Sequence, residues 1–593
     1  MTTHNIQGFN VPFIPTRRQF DSVWTDYEPN KRVILPRGWR RQGRLRLRES
    51  ITLDKDVAVE MRDNAKLCVD ILRPTSKENE RLPALVAWSP YGKTGTGALL
   101  TKDYTYVGVP ASHTSGLEKF EAPDPAEWCP RGYALVHPDA RGTFNSEGDL
   151  HIFGTQEAQD GYDLIEWVAK QPWCNGAVAL VGNSWLGIMQ WFIAAERPPH
   201  LKAIAPWEGA GDFYRTTLCR GGIPHSAFWA RLLELMQGHG GYEDIATMLE
   251  NYPHMNQYWE DKNPKITNIE IPIYAVMSYS TDLHTEGSFR GWKYSSSKDK
   301  WLRIHPTQEW HDIYQPENID ELQRFLDRYL LGKDNGWENT PKVRVSLLRF
   351  NRPAIAHRPE DNYPPARTEY HNLYLDSGKG SLSYTQPKEH ATASYTADKW
   401  EDDGVYFTYT FKKYTEILGP SKVKLFMSTK DKDDMDVYVQ IRKLDVDGNA
   451  LTSLNVPLDR QPHVTTLDQV DDICLYKHYG PNGRLRASKR ALGQDPMLSE
   501  EQRKEQAPTE LWLPYDQEAK VPPGTVVELD IPIWPTGMAF EAGESMRLEV
   551  KGHDHDLHDF PDLGPTLKNL NVGTHSIHTG EKYPSGVLLP LVF

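Results

Sequence analysis

A serine that attacks a carbonyl carbon is a weak nucleophile at neutral pH. It needs an imidazole to take its proton, a carboxylate to orient that imidazole, and donors for the oxyanion that forms. The 593-residue sequence offers a residue for each part. In Ala177–His200, AVALVGNSWLGIMQWFIAAERPPH, a short apolar run meets a Gly-Asn-Ser turn and leads into an apolar helix closed by Pro198 and Pro199. Ser184 therefore falls in a strand-to-helix corner that lifts its hydroxyl above the sheet edge, and Gly182 supplies the small residue such a corner needs two positions earlier. The general pattern has glycine two positions later as well; here that position is Leu186, and the glycine follows as Gly187.

On a sheet of this kind the acid and the base follow the serine in the chain, each past the end of a later strand. After the strand candidate Ile271–Met277 comes SYSTDLHTEG, which offers Asp282 as the orienting acid, with a helix N-cap as its alternative role. After Trp301–Ile304 comes HPTQEWHD. His305 ends its strand and precedes Pro306, which suits a half-buried structural role, whereas His311 lies farther out, where a loop can bring it back over the serine, and is the candidate base. The oxyanion donors are the backbone N–H of Trp185 and the hydroxyl of Tyr91, in the loop Trp88–Lys93, where Pro90 has no N–H to give; a packing role is the alternative for Tyr91. This chemistry requires no cofactor and no metal.

Other motifs compete for attention. AWSPYGKT is similar to a phosphate-binding loop, but Ala87 replaces the first glycine and Pro90 removes a cradling amide. Asp139 and Arg141, just past a strand end, read as a loop-stapling ion pair, and the His/Asp run Gly552–Asp559 reads as a solvated turn rather than a closed metal site. Arg37–Arg48, with six arginines, reads as an arm that pairs with carboxylates.

Hydrophobic residues at 39% and charged residues at 25% describe an ordinary globular protein, and the length calls for two or three domains. A net charge of -14 argues against a nucleic-acid partner. The five cysteines are widely spaced and contain no CxxC pair, which fits a reducing compartment. With neither an apolar leader after Met1 nor an apolar run of about 18 residues, the expectation is a cytoplasmic protein without a membrane partner. Residues 1–50 read as an N-terminal arm. Residues 51–345 alternate strands with helices, as in a mostly parallel α/β sheet, with an insert at 208–265 rich in Trp, Phe, Tyr, Leu and Met that reads as a helical cap. Residues 346–593 change to period-2 alternation with turn signals, as in an all-β sandwich of jelly-roll type.

These positions resemble the CocE/NonD hydrolases, the group of bacterial cocaine esterase, α-amino-acid ester hydrolases and X-Pro dipeptidyl-peptidases. The resemblance runs from MRDNAKLCVDILRP through SPYGK, PDARGTFNSEG, GNSWLG and LKAIAPWEGAGDFYR to the Asp282 and His311 loops, then to GRLRASKRAL and YPSGVLLPLV near the C-terminus. It implies an α/β-hydrolase domain, an inserted helical cap and a jelly-roll domain. It also implies Ser184 as nucleophile, His311 as base, Asp282 as acid, and Tyr91 with the Trp185 amide as oxyanion hole. The chain departs from the family at Trp185, where tyrosine is usual, and at STDLHTEG, where relatives show an aromatic-Asp-Gly sequence. It has no clear match to the carboxylate cluster of the amino-acid ester hydrolases, although Glu208 and Asp212 lie nearby. Hydrolysis of a small-molecule ester is the leading expectation, followed by an amide or X-Pro peptide, then acyl transfer. A non-catalytic ligand-binding protein is the reading from another class, and assembly into a homo-oligomer is left open.

Overall fold

The computed structural model describes residues 2–17, 27–97, 103–281, 283–402, 404–554, 557–558, 563 and 569–593. Short apolar runs become β3 (Lys31–Leu35), β4 (Ile51–Glu60), β5 (Lys66–Pro74), β6 (Leu82–Val86), β7 (Ala134–Pro138), β8 (Cys174–Asn183) and β9 (Leu201–Trp207), after an N-terminal hairpin of β1 (Thr2–Ile6) and β2 (Phe9–Pro15). They are followed by β10 (Gly241–Glu243), β11 (Ile273–Met277), β12 (Lys300–Ile304), β13 (Val343–Leu347) and β14 (Ile355–Glu360). The helices are α1 (Pro125–Trp128), α2 (Gly154–Ala169), α3 (Trp185–Ala195), α4 (Ala227–Leu233), α5 (Ile245–Asn251), α6 (Gln257–Glu260), α7 (Thr285–Tyr294), α8 (Glu309–Ile313) and α9 (Pro316–Leu331).

Among the described residues these strands form an eleven-stranded sheet in the order β14-β13-β12-β11-β9-β8-β6-β7-β5-β4-β3. The strands from β6 to β13 run parallel to their neighbours, and β3, β4, β5 and β14 add antiparallel edges. Parallel strands need helical crossovers, and α2, α3, α7 and α9 pack onto the sheet accordingly. The amphipathic α9 starts with Pro316 in its first turn and stops at Gly332, whose φ of 66° closes the helix in the left-handed region. Register places Leu180 beside Val86, Asn183 beside Trp207, Val276 beside Trp207 and Ile304 beside Met277. The loops that follow β6, β8, β9, β11 and β12 therefore emerge along one edge of the sheet, where open α/β sheets place their chemistry.

The segment between β9 and β11 is largely helical, with a wide helical turn at Phe213–Leu218 followed by α4, α5 and α6. Its one short strand, β10, receives the N-terminal hairpin: Tyr242 lies opposite Ile14. The first residues of the chain thus extend the cap, and β3 joins the edge of the large sheet.

The second sheet opens at Glu369–Asp376 and closes with Gly586–Val592, and its pairings are almost all antiparallel. Its longest strand, Thr415–Thr429, pairs with Val527–Phe540, Thr574–Thr579 and Gly586–Val592. The change of sheet falls between Glu360 and Glu369, later than the expected 345/346, because β13 and β14 complete the first sheet.

Asp139 and Arg141 do not pair with one another as expected. Arg141 reaches Asp160 at 2.7 Å and Asp63 at 2.9 Å, while Asp139 accepts from Lys93 at 3.2 Å. Lys93 is buried among Asp56, Asp70 and Asp139, so this cation is committed to carboxylates. In the His/Asp run, Asp554 pairs with Arg484 at 3.2 Å, and residues 555, 556 and 559 lie outside the described residues. Among the described residues, no helix is long and apolar enough to cross a membrane.

Candidate active site

Ser184 occupies the junction of β8 and α3 with φ 56° and ψ −119°, a conformation that an L-residue holds only when its surroundings impose it. The surroundings are visible: its N–H donates to Trp207 O at 3.1 Å on the neighbouring strand, and its carbonyl accepts from Ile188 N at 2.7 Å in the first turn of α3. From Val178 to Ala195 every residue is buried except Ser184. The two glycines explain the unusual spacing. A Cβ on Gly182 would strike the Leu186 side chain at 2.4 Å, and one on Gly187 would strike Trp207 O at 2.3 Å. The glycine that the general pattern places at 186 is needed at 187, where α3 presses on the backbone of β9.

Tyr91 is 2% exposed, and Ser184 is among the groups that act on its phenol. Burial, and then the Glu121 carboxyl, push that phenol well above its ordinary value, so it keeps its proton and remains a donor. Trp185 is the first residue of α3, where a backbone N–H has no acceptor within the helix. The rings of the two residues expected to supply the oxyanion donors lie 6.0 Å apart. One buried carboxyl binds the segments that carry them: Glu157 Oε1 accepts from Trp88 Nε1 and from Trp185 Nε1, both at 2.9 Å, and Oε2 accepts from Phe153 N at 2.8 Å. Burial pushes Glu157 up to about 7.

His311 lies on α8 and is partly exposed. Its Nδ1 lies 2.9 Å from Val107 O. A carbonyl only accepts, so Nδ1 carries the proton and Nε2 of the neutral ring presents its lone pair. Burial holds the imidazole below its ordinary value of 6.5. Among the described residues, Ser184 Oγ makes no hydrogen bond to His311, and the two side chains are linked only through their neighbours. Asn183 Nδ2 donates to Glu121 Oε1 at 3.1 Å, and Trp310 Nε1 donates to the same oxygen at 2.7 Å. On the other side of His311, Asp312 is gripped by both Nη groups of Arg303 and by Trp207 Nε1 at 3.0 Å, which ties α8 to the ends of β9 and β12.

His305 is fully buried rather than half-buried, with Nε2 2.9 Å from Glu208 Oε1. Asp282 lies outside the described residues; it falls in the connection between β11 and α7. Glu121 and Glu157, both buried within this group, were not anticipated from the sequence. Glu157 carried a signal, since it shares the buried face of α2 with Gly161, Leu164, Ile165 and Val168.

On the cap side the site is walled by rings. Trp185 packs on Phe153 at 4.6 Å and on Trp229 of α4 at 5.9 Å, and Trp229 packs on Phe213 at 4.7 Å. A separate cavity of about 140 Å³ opens between the cap, α7 and the second sheet, among Arg215, Glu286, Arg290, Trp512 and Trp534; Ser184, Tyr91, Trp185 and His311 do not line it. A base at His311 would accept from serine only while neutral, so kcat/KM is expected to rise with pH through a midpoint below 6.5, checked by a pH profile with a short-chain aryl ester.

Comparison with known proteins identifies the family and the fold. Residues 63–243 match the family model of the X-Pro dipeptidyl-peptidases (S15 family), and residues 335–588 match their C-terminal non-catalytic domain. A crystal structure of a CocE/NonD family hydrolase from Staphylococcus aureus aligns with a TM-score of 0.82 and 30% identity, covering 92% of this chain and 94% of that one. Cocaine esterase of Rhodococcus sp. (strain MB1 Bresler) is 34% identical over 160 residues, which is 27% of this chain and 24% of that protein. An aminopeptidase from a Thaumarchaeota archaeon shares the fold with a TM-score of 0.61 at 18% identity, covering 90% of this chain and 95% of that one.

Proposed function

Since the chain belongs to the CocE/NonD hydrolases, we propose that it is a serine esterase that cleaves a neutral, apolar carboxylic ester through an acyl-enzyme. Ser184 attacks the acyl carbon as His311 Nε2 takes its proton, and the Tyr91 hydroxyl and Trp185 N–H receive the charge that develops on the carbonyl oxygen. His311 then returns the proton to the departing alkoxide, and water enters by the same route in reverse. Asp282 is the acid assigned to steady the imidazolium, and we read the second sheet as a jelly roll that helps to enclose the substrate.

The observation that favours an ester over an X-Pro peptide concerns carboxylates. A dipeptidyl-peptidase must hold the α-ammonium of its substrate, and of the two carboxylates near the expected position one is engaged by an arginine and the other is shut off from solvent, its oxygens without a hydrogen-bond partner among the described residues. Asp212 pairs with Arg215 at 2.5 Å and caps the turn that follows it, and Glu208 is fully buried against His305. The ring wall formed by Trp185, Phe153, Phe213 and Trp229 suits an apolar acyl group instead.

Parallel kinetics with 4-nitrophenyl butyrate and glycyl-prolyl-4-nitroanilide test this reading. The expected result is kcat/KM at least about 100-fold higher for the ester, because an unpaired substrate charge is rejected strongly. Equal or faster turnover of the anilide overturns it in favour of the peptidase.

A further inference from the structure

We propose that Glu121 is a positioning residue that fixes how far His311 stands from Ser184, acting through the residue that precedes each of them. The inference rests on the assignment of Ser184 and His311 as nucleophile and base. One carboxyl oxygen of Glu121 accepts both from Asn183, immediately before the serine, and from Trp310, immediately before the histidine. The main chain reinforces the link on the serine side, where Asn183 N donates to Glu121 O at 3.1 Å. Glu121 is itself held in place: its φ is 66°, its N–H donates to the Tyr104 hydroxyl at 3.1 Å, and it is 2% exposed. A carboxyl that only filled space would not need to sit in the left-handed region with both its oxygen and its backbone directed at one strand end. Trp310 is also wedged between Tyr104, Tyr106 and Phe120, so the donor on the histidine side has little freedom to follow a moving acceptor.

The same geometry gives Glu121 an electrostatic signature. Burial pushes it up to about 8, and the hydrogen bonds from Trp310 and Asn183 bring it only part of the way back. Facing it are the phenols of Tyr91 and Tyr104 and, from α8, Glu309, itself held well above the usual carboxyl range by burial and by Glu208 and Glu121. Its second oxygen, Oε2, is buried without a partner. Ionisation of Glu121 would set a negative charge beside Tyr91, where the oxyanion has to form, and so oppose the reaction as pH rises through about 8.

The test uses Glu121→Gln, Glu121→Leu and Trp310→Phe in the full chain, with 4-nitrophenyl butyrate as substrate and circular dichroism as the check on folding. Glu121→Gln keeps an acceptor oxygen, so kcat is expected to stay within about 3-fold, while the fall in kcat/KM near pH 8 disappears. Glu121→Leu removes both hydrogen bonds, and Trp310→Phe removes only the one on the histidine side. Each is expected to lower kcat by about 10- to 100-fold with KM changed less than about 3-fold, as for a misplaced reacting group. If Glu121→Leu does not fold, Trp310→Phe alone decides. A folded Trp310→Phe protein with undiminished kcat overturns the proposal. His311→Ala distinguishes the two levels: if that variant remains active, the assignment of the base has failed rather than the role of Glu121.

Discussion

Ser184→Ala is expected to leave a folded protein whose kcat toward 4-nitrophenyl butyrate falls by at least about 10⁴-fold and which forms no covalent adduct with a serine-directed phosphonate. The fold should tolerate the change. Alanine meets the same left-handed backbone penalty as serine at φ 56°, and the bonds from the Ser184 main chain to Trp207 and Ile188 do not involve the hydroxyl. What is lost is the hydroxyl proposed to attack. The Tyr91 phenol and Trp185 amide stay in place, so residual acceleration from the oxyanion hole and from binding sets the floor of the measurement. Mass spectrometry of the phosphonate-treated wild type should locate the adduct on Ser184. A variant that hydrolyses the ester at the wild-type rate would remove the nucleophile from the mechanism and favour a ligand-binding protein.

The second large effect is expected from His311→Ala, about 10⁴-fold in kcat at pH 7.5, with a similar slowing of phosphonate inactivation because the serine then has no base. His311 is partly exposed and, among the described residues, its ring bonds a backbone carbonyl, so water can replace it without leaving a dry unpaired group. Asp282→Asn is the informative companion. In a triad that depends on a carboxylate to select the tautomer, its removal costs on the order of 10⁴-fold in kcat. Here the Val107 carbonyl already takes the Nδ1 proton, so a smaller loss of about 10²-fold is expected, reflecting only the lost stabilisation of the imidazolium. Equal losses for Asp282→Asn and His311→Ala would mean that the Val107 bond gives way during turnover.

Much of this site was legible because it is local. The corner at Ser184 is written in adjacent residues: an apolar strand, Gly182, the serine, then an apolar helix. The chain order expected of serine, acid and base follows from the sheet, and β12 places the loop of His311 on the same edge as Ser184. The residues that hold these parts together were not legible, because their partners are remote in sequence. Glu121 lies 62 residues from Asn183 and 189 from Trp310, and no periodic pattern connects them. Glu157 was half-visible as a carboxylate on the buried side of a helix. The misplaced sheet boundary has a different cause: a five-residue strand such as β13 is too short for its apolar pattern to distinguish a last parallel strand from the first strand of a β unit.

The N-terminal hairpin has a consequence for substrate entry. The cap is fastened on one side to β2 through β10, and on the other to the second sheet and the connection before its strand Val527–Phe540, where Arg220 donates to Asn482 O at 2.6 Å, Met255 N to Tyr515 O at 3.1 Å and Arg215 to Leu513 O at 3.2 Å. A segment anchored at both flanks is a frame rather than a swinging door. The size of ester admitted should therefore respond to single substitutions along the cap more than to temperature or solvent viscosity.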